Sequence, residues 1–409
     1  MKILVVGGGG REHTLVWKLA QGPKADEIYV APGNAGTAQI AQNLPVNADD
    51  IDGLVKIVQK KGIELVVVGP EIPLAGGIVD RFQTIGIPIF GPTQKAARIE
   101  ASKAFAKDLM RKYRIPCARS DTFSEYSQAK QYIEQRTPPI VIKADGLAAG
   151  KGVVIAESTS QALEALDEMM ESKTAGEAGN KIVVEEYLSG KEMSFFIFTD
   201  GQTVVPMVSA CDYKRVNDGD KGPNTGGMGS YSPPYFDTPK LARTVMTTIM
   251  EPVVKALAQE QSLYLGVLYA GLMITGSGPR VLEFNARFGD PETQVVLPRL
   301  RTDLVDIILA VINGNLAQAD VKWSREACVG VVMASGGYPG SYQTGFPITG
   351  LDSVDRDILV FHAGTKAGPV PGQVLTNGGR VLTVVARGKT IAEAREKVYN
   401  NVSRIHFEG

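Results

Sequence analysis

The chain has 409 residues, which at the usual ~100–200 residues per domain gives roughly two to four domains. Lysine plus arginine (43) against aspartate plus glutamate (44) leaves a formal net charge of −1, so no electrostatic footprint favours nucleic acid or an anionic membrane as the main partner. With 44% hydrophobic and 21% charged residues the chain is too apolar for disorder, and its 45 glycines and 23 prolines fall in short unperiodic clusters that mark loops and backbone-mediated sites, not collagen.

Cys117, Cys211 and Cys328 lie far apart without a CxxC pair, which excludes a disulfide framework and a zinc ribbon and makes a reducing, cytoplasmic compartment the expectation. The apolar run Met1–Val6 is too short for a signal peptide, and Leu263–Ile274 falls short of the ~18 residues a membrane span needs.

In chain order, Lys2–Val6, Glu27–Val30, Glu64–Val68 and Ile87–Phe90 read as buried parallel strands. Arg11–Ala20, Asp50–Lys60 and Leu74–Thr84 read as the helices between them. Ligands on such sheets gather beyond the carboxyl ends of the strands, here Gly7–Gly10, Pro32–Gly36 and Gly69–Glu71. A helix over Ser102–Lys112 leads to a boundary near Ile115–Pro116. Beyond it, helices at Ser124–Gln135 and Ser158–Glu171 with strands at Ile140–Lys143, Val153–Ala156 and Ile182–Glu186 suggest a small α+β lobe over 116–190. A larger block, 191–325, has strands at Met193–Phe198, Thr203–Ser209, Val267–Ile274 and Arg280–Asn285, and a long helix carrying Met246, Ile249, Met250, Val253, Val254 and Leu257 at core spacing, which Pro252 should kink. Residues 326–409 are strand- and turn-rich, with a closing helix at Ile391–Asn400.

Five segments carry chemistry. Gly7-Gly8-Gly9-Gly10-Arg11-Glu12 follows the first strand like a GxGxxG turn, but Glu12 stands at the third glycine position and the second strand ends in Pro32-Gly33 without an acid for a ribose diol, both against NAD. Helix-start N–H groups still favour a substrate anion; a plain tight turn is the alternative. Lys143-Ala144-Asp145-Gly146-Leu147-Ala148-Ala149-Gly150-Lys151-Gly152 joins two strands without a Walker Ser/Thr, a hairpin able to fold onto phosphates or simply a flexible glycine loop. Val184-Glu185-Glu186-Tyr187-Leu188, followed by Glu192, offers backbone groups to an adenine edge and a carboxylate to a ribose, although acids at a strand end are commonly just solvated. Along Glu283-Phe284-Asn285-Ala286-Arg287 the period of two puts Glu283, Asn285 and Arg287 on one face, two oxygen ligands and a guanidinium suited to Mg²⁺ and a transferring phosphoryl group. Last, Asp212-Tyr213-Lys214-Arg215 and Pro223–Gly229 form a long glycine-studded polar loop. His362 and His406 have no partners at metal-ligand spacing, and His13 either faces the anion site or packs.

The order lysine hairpin, linker, Glu-x-Asn strand resembles the ATP-grasp ligases. The segments 7–13, 212–215, 223–229 and above all Arg287-Phe288-Gly289-Asp290-Pro291-Glu292-Thr293-Gln294 resemble the phosphoribosylamine–glycine ligases over essentially the whole chain, Tyr213 standing where histidine is expected. The resemblance implies a multi-domain α/β and α+β fold: an N-terminal Rossmann-like parallel domain (1–115), two ATP-grasp lobes (116–190 and 191–325) and a β-rich C-terminal domain (326–409). It implies ATP-dependent joining of glycine to 5-phosphoribosylamine through glycyl phosphate, with Mg²⁺ or Mn²⁺ held by Glu283 and Asn285; the sequence does not fix the oligomeric state, a monomer being the favoured expectation. Arg287 would neutralise the γ-phosphoryl group. Lys103 and Lys143 would hold ATP phosphates under a lid containing Gly146, Gly150 and Gly152, and Glu185, Leu188 and Glu192 would read adenosine. Gly9, Gly10 and Asn34 would face phosphoribosylamine, Asn224, Thr225 and Gly226 would line the substrate loop, and Asp212 and Asp290 would receive the glycine ammonium. Another ATP-grasp carboxylate–amine ligase or carboxylase, a nicotinamide-dependent oxidoreductase and a non-catalytic nucleotide sensor are the competing readings.

Overall fold

The computed structural model describes residues 1–147, 152–174 and 176–409. The N-terminal strands Lys2–Gly7, Glu27–Pro32, Leu65–Val68 and Ile89–Phe90 pair in parallel, with the short strand Gln42–Asn43 as a fifth member beyond Glu27–Pro32. Their β-branched runs are buried on both faces, as a parallel sheet covered by helices requires. The expected helix over Leu74–Thr84 is two, Glu71–Ala75 and Ile78–Thr84, broken at Gly76–Gly77, where Gly77 takes φ +84°.

The small lobe is an antiparallel sheet in the order Ser120–Phe123, Ile182–Glu186, Ile140–Ala144, Val153–Ala156, packed on helices Tyr126–Glu134 and Thr159–Leu166 around a core of its own. The larger lobe is a second antiparallel sheet of Val204–Pro206, Lys191–Thr199, Gly266–Thr275 and Gly278–Asn285. Its alternate faces pack Phe195 and Ile197 with the N-terminal Leu4 and Val6, and Phe196 and Phe198 with Ile3 and Val5, so this lobe and the parallel sheet share continuous cores. The long helix runs through Pro239–Val245, Met246–Met250 and Glu251–Gln259. Pro252 is accommodated by a widened turn just before it, where the Glu251 N–H reaches back to the Met246 carbonyl.

The C-terminal strands Ala327–Ala334, Arg380–Gly388 and Leu359–His362 do not form a sheet alone. Cys211–Asp212 and Gly229–Ser232, from the larger lobe's polar loop, extend it in the order Cys211–Asp212, Gly229–Ser232, Ala327–Ala334, Arg380–Gly388, Leu359–His362. That pairing ties both ends of the glycine-rich loop to rigid strands. No helix among the described residues is long and apolar enough to cross a membrane.

Candidate active site

A cleft of about 1180 Å³, partly open to solvent, lies where the small lobe, the larger lobe and the N-terminal sheet meet. Lys103, Lys143, Gly146, Gly152, Glu185, Asp212, Thr225, Gly226, Glu283, Asn285, Arg287 and Asp290 all line it. Among the residues expected at the site, Gly9, Gly10, Asn34, Leu188, Glu192 and Asn224 are not on its wall, and Gly150 lies outside the described residues.

The phosphate-facing lysines come from two elements, helix Lys103–Lys112 and the small lobe's strand Ile140–Ala144. Ser102 caps helix Lys103–Lys112 by accepting the Phe105 N–H, and Asp145 of the hairpin accepts the Ala104 N–H and the Ser102 hydroxyl, each at 3.0 Å. This lock sets Lys103 against the hairpin, where its Nζ donates to the Gly146 carbonyl at 2.8 Å. Burial lowers the Lys103 pKa, Glu283 opposing and Lys143 reinforcing the shift. Gly146 has φ +149°, and a Cβ there would meet Ala178 at 2.8 Å, so glycine is required by both backbone and space.

Lys143, one residue before the end of its buried strand, has Nζ 3.1 Å from Glu185 Oε1 and 3.1 Å from the Leu282 carbonyl. Glu185 also meets Lys107 at 2.9 Å. Its carboxylate is therefore the counter-ion of two buried ammonium groups, not a free reader of a nucleoside. Lys107 was missed in the sequence; its spacing of four from Lys103 puts both on one helix face, the signal that could have found it. Leu188 is half-buried just beyond the strand, and Glu192 is half-exposed, 3.1 Å from Lys214.

On the larger lobe, burial disfavours ionisation of Glu283, but Lys214, Lys143, Lys103 and Arg287 overcome it and hold its carboxyl below the usual range. Asn285 Oδ1 accepts from Arg287 at 3.2 Å. The guanidinium of Arg287 also meets Glu71 and Glu100 at 2.9 Å each. Burial works against its charge, yet Glu100 and Glu71 raise its pKa further. Burial raises the Asp212 carboxyl to about 7, with Lys214 opposing and Glu292 and Glu192 adding to the rise. Glu292, which the sequence reading left unassigned, is buried beside it and accepts from Tyr269 at 2.8 Å and Ser194 at 3.1 Å.

The C-terminal domain closes the far wall. Arg380 donates to the Gly226 carbonyl at 2.7 Å and the Asp290 carbonyl at 3.0 Å, and pairs with the Asp290 carboxylate at 3.1 Å. The Tyr338 hydroxyl accepts the Gly226 N–H at 2.8 Å. Thr225 is fixed by its hydroxyl to the Lys214 carbonyl at 2.8 Å, while Asn224 is exposed on strand Lys221–Asn224.

The glycine turn after the first strand already holds an anion of its own. Glu12 folds back so that Oε2 accepts the Gly9 N–H at 2.6 Å and Oε1 accepts Arg11 Nε at 2.5 Å. A Cβ at Gly69 would strike the same carboxylate at 2.0 Å. The third-glycine departure therefore has a physical meaning: a carboxylate fills part of the cradle a pyrophosphate would use. Gly9 still approaches the cleft, since a Cβ on it would be 3.4 Å from Asp290 Oδ2, and Gly10 packs on Gln294. Asn34 is buried with its amide spent on protein: Nδ2 donates to the carbonyls of Gly8 and His362, and Oδ1 accepts the N–H groups of Gly36 and Thr37. It shapes the loop from within.

Three successive segments match phosphoribosylglycinamide synthetase domains: the N domain over 1–100, the ATP-grasp (A) domain over 101–293 and the C domain over 328–409. The phosphoribosylamine–glycine ligase of Halalkalibacterium halodurans is 50% identical over 410 residues, covering 100% of this chain and 95% of that protein. The one from Vibrio cholerae is 49% identical over 413 residues, at 100% and 96% coverage. The crystal structure of phosphoribosylamine–glycine ligase from Thermotoga maritima superposes with a TM-score of 0.88 at 33% identity, covering 100% of this chain and 98% of that one. A Campylobacter jejuni biotin carboxylase shares the fold at a TM-score of 0.78 and 13% identity, over 100% and 92% of the two chains. From end to end, the chain belongs to the phosphoribosylglycinamide synthetase family.

Proposed function

We propose that the chain ligates glycine to 5-phosphoribosylamine, cleaving ATP to ADP and phosphate by way of glycyl phosphate, in de novo purine synthesis in the cytoplasm. One observation carries this reading. A single cleft gathers two phosphate-seeking lysines, an oxygen pair on one strand, and an arginine, and its rim reaches the glycine turn of a separate parallel sheet. A carboxylate is a poor electrophile, so glycine must first be phosphorylated, and both steps place negative charge on phosphoryl oxygens. Lys103, Lys143 and Arg287 answer that charge before the reaction begins.

Glu283 and Asn285 fit a hard divalent cation, Mg²⁺ or Mn²⁺: both are oxygen donors on the cleft wall, and the carboxylate is held ionised by surrounding cations. Once bound, such an ion would neutralise charge on the triphosphate. Asp212 and Asp290 would receive the glycine ammonium, Leu188 and Glu192 the adenosine, and the hairpin of Gly146 and Gly152 would exclude water from the acyl phosphate.

The test is ADP release measured with each substrate withheld in turn. Dependence on both glycine and phosphoribosylamine supports the ligase, and hydroxylamine should trap a glycyl hydroxamate from ATP and glycine. Release driven by bicarbonate, or AMP as product, would refute it.

A further inference from the structure

The buried charges of the cleft do not stop at its wall. Glu12, Arg11, Glu71 and Arg287 form a row of alternating sign from the first strand's glycine turn to the Glu283–Asn285 face. Arg11 Nε lies 2.5 Å from Glu12, Arg11 Nη1 lies 3.9 Å from Glu71 Oε2, and that same oxygen lies 2.9 Å from Arg287 Nε. Arg287 then reaches Asn285 Oδ1 at 3.2 Å. Glu71 stands at the head of helix Glu71–Ala75, at the carboxyl end of strand Leu65–Val68, so it belongs to the parallel sheet and not to the lobe that carries Arg287. The two residues are 216 apart in the chain. Glu100 supplies a second carboxylate to the other edge of the guanidinium at 2.9 Å, and its own second oxygen accepts the Ala286 N–H at 2.7 Å.

A guanidinium gripped on two edges has little freedom left, because its five donors lie in one plane. Glu100 fixes it to the backbone of its own strand end. Glu71, which like Glu100 lies within residues 1–115, fixes its orientation from the carboxyl edge of the parallel sheet.

We propose that Glu71 is a positioning residue for Arg287, so that the parallel domain, whose expected ligand is the amine, sets the alignment of the group acting on the first, amine-independent phosphoryl transfer. This deepens the ligase reading and rests on it. A glutamate that served only to hold the sugar phosphate would have no effect on glycyl phosphate formation. A glutamate that aligns Arg287 must slow it.

The experiment is hydroxylamine trapping of glycyl phosphate with ATP and glycine and no phosphoribosylamine, for wild type, Glu71→Gln, Glu71→Asp, Arg287→Lys and the Glu71→Gln/Arg287→Lys double variant. Glu71 is part-exposed and Arg287 keeps Glu100, so Glu71→Gln retains the fold, which the thermal midpoint checks. Glu71→Gln should lower kcat of trapping about tenfold or more, while KM for ATP stays within about threefold because Lys103 and Lys143 are untouched. Glu71→Asp should recover part of the loss, and on the Arg287→Lys background Glu71→Gln should cost less than about twofold further. Trapping at the wild-type rate in Glu71→Gln, or additive losses in the double variant, overturns the inference while leaving the ligase reading intact. No trapping in a wild-type enzyme that ligates normally once phosphoribosylamine is added also overturns the inference, whereas ADP release that needs no glycine with all substrates present overturns the ligase reading itself.

Discussion

Lys107, Glu185 and Lys143 form a buried trio of two lysines and one carboxylate; burial lowers the Lys107 pKa and Glu185 opposes the shift, and with both ammonium groups charged the trio would offer an entering ATP phosphate one uncompensated positive charge. All three side chains are at most 7% exposed, and both lysines lie within 3.1 Å of the one carboxylate. Replacing Lys143 with methionine removes that surplus but leaves the Lys107–Glu185 pair neutral, so the fold should survive while the phosphate contact is lost. A hydrogen bond to a charged group is worth about 1.5–3 kcal/mol, which predicts a fall of roughly 10- to 150-fold in kcat/KM for ATP. Replacing Glu185 with glutamine does the reverse: two ammonium groups are left buried without a counter-ion, at a cost of about 3–5 kcal/mol in the empty enzyme. ATP then restores the missing negative charge, so its stabilising effect should be larger in this variant than in wild type. Steady-state ADP release against ATP concentration reads the first variant, and thermal unfolding with and without ATP reads the second. An unchanged kcat/KM in Lys143→Met, or an ATP-induced rise in melting temperature no greater in Glu185→Gln than in wild type, would refute the surplus-charge argument.

Glu283→Gln should raise the Mg²⁺ concentration for half-maximal rate by at least about tenfold, measured at fixed ATP; an unchanged metal requirement would remove Glu283 from the site. Arg380→Ala frees both the Gly226 carbonyl and Asp290. Burial raises the pKa of Asp290 and Arg380 leads the groups that pull it below the usual range, so without Arg380 the acid limb of the rate profile should move to higher pH. The loss in kcat/KM for glycine should be on the order of 1–2 kcal/mol, and a profile that does not move would refute the role given to Arg380. His13 and His362 face each other across the junction of the first helix and the C-terminal sheet, with ring centroids 5.5 Å apart and the His362 N–H donating to His13 Nδ1 at 2.8 Å. Burial, with His362 contributing, holds His13 at about 3, and burial holds His362 at about 4, both below the ordinary 6.5. The unfolded chain therefore binds more protons below pH 6.5, and stability is lost as pH falls from there towards about 4, by up to ~1.4 kcal/mol per pH unit for each histidine. Urea midpoints at pH 7 and pH 5 should differ less in a His362→Gln variant; an equal difference would exclude this source of acid sensitivity.

Local signals carried the sequence reading as far as local chemistry reaches. The parallel strands were legible because β-branched runs buried on both faces have no polar alternation to blur them, and the Glu283–Arg287 segment because a strand's period of two makes its face visible. Ser120–Phe123 escaped notice because it is a polar edge strand paired on one side only, and Gln42–Asn43 because two residues show no period. The C-terminal sheet could not be foreseen as it stands, since Cys211–Asp212 and Gly229–Ser232 join it from about a hundred residues upstream through backbone hydrogen bonds that leave no mark on side-chain pattern. The same division holds within the site. Lys143 and Glu283 announce themselves by their neighbours in the chain, whereas Glu71 and Glu100 matter only because folding brings them to Arg287. Glu12 shows the limit most clearly. Its position told that a dinucleotide fingerprint was broken, but only the folded turn, with the carboxylate against the Gly9 N–H, shows that the chain supplies the anion itself and so turns a phosphate cradle into the first link of a charge row leading to the reacting groups.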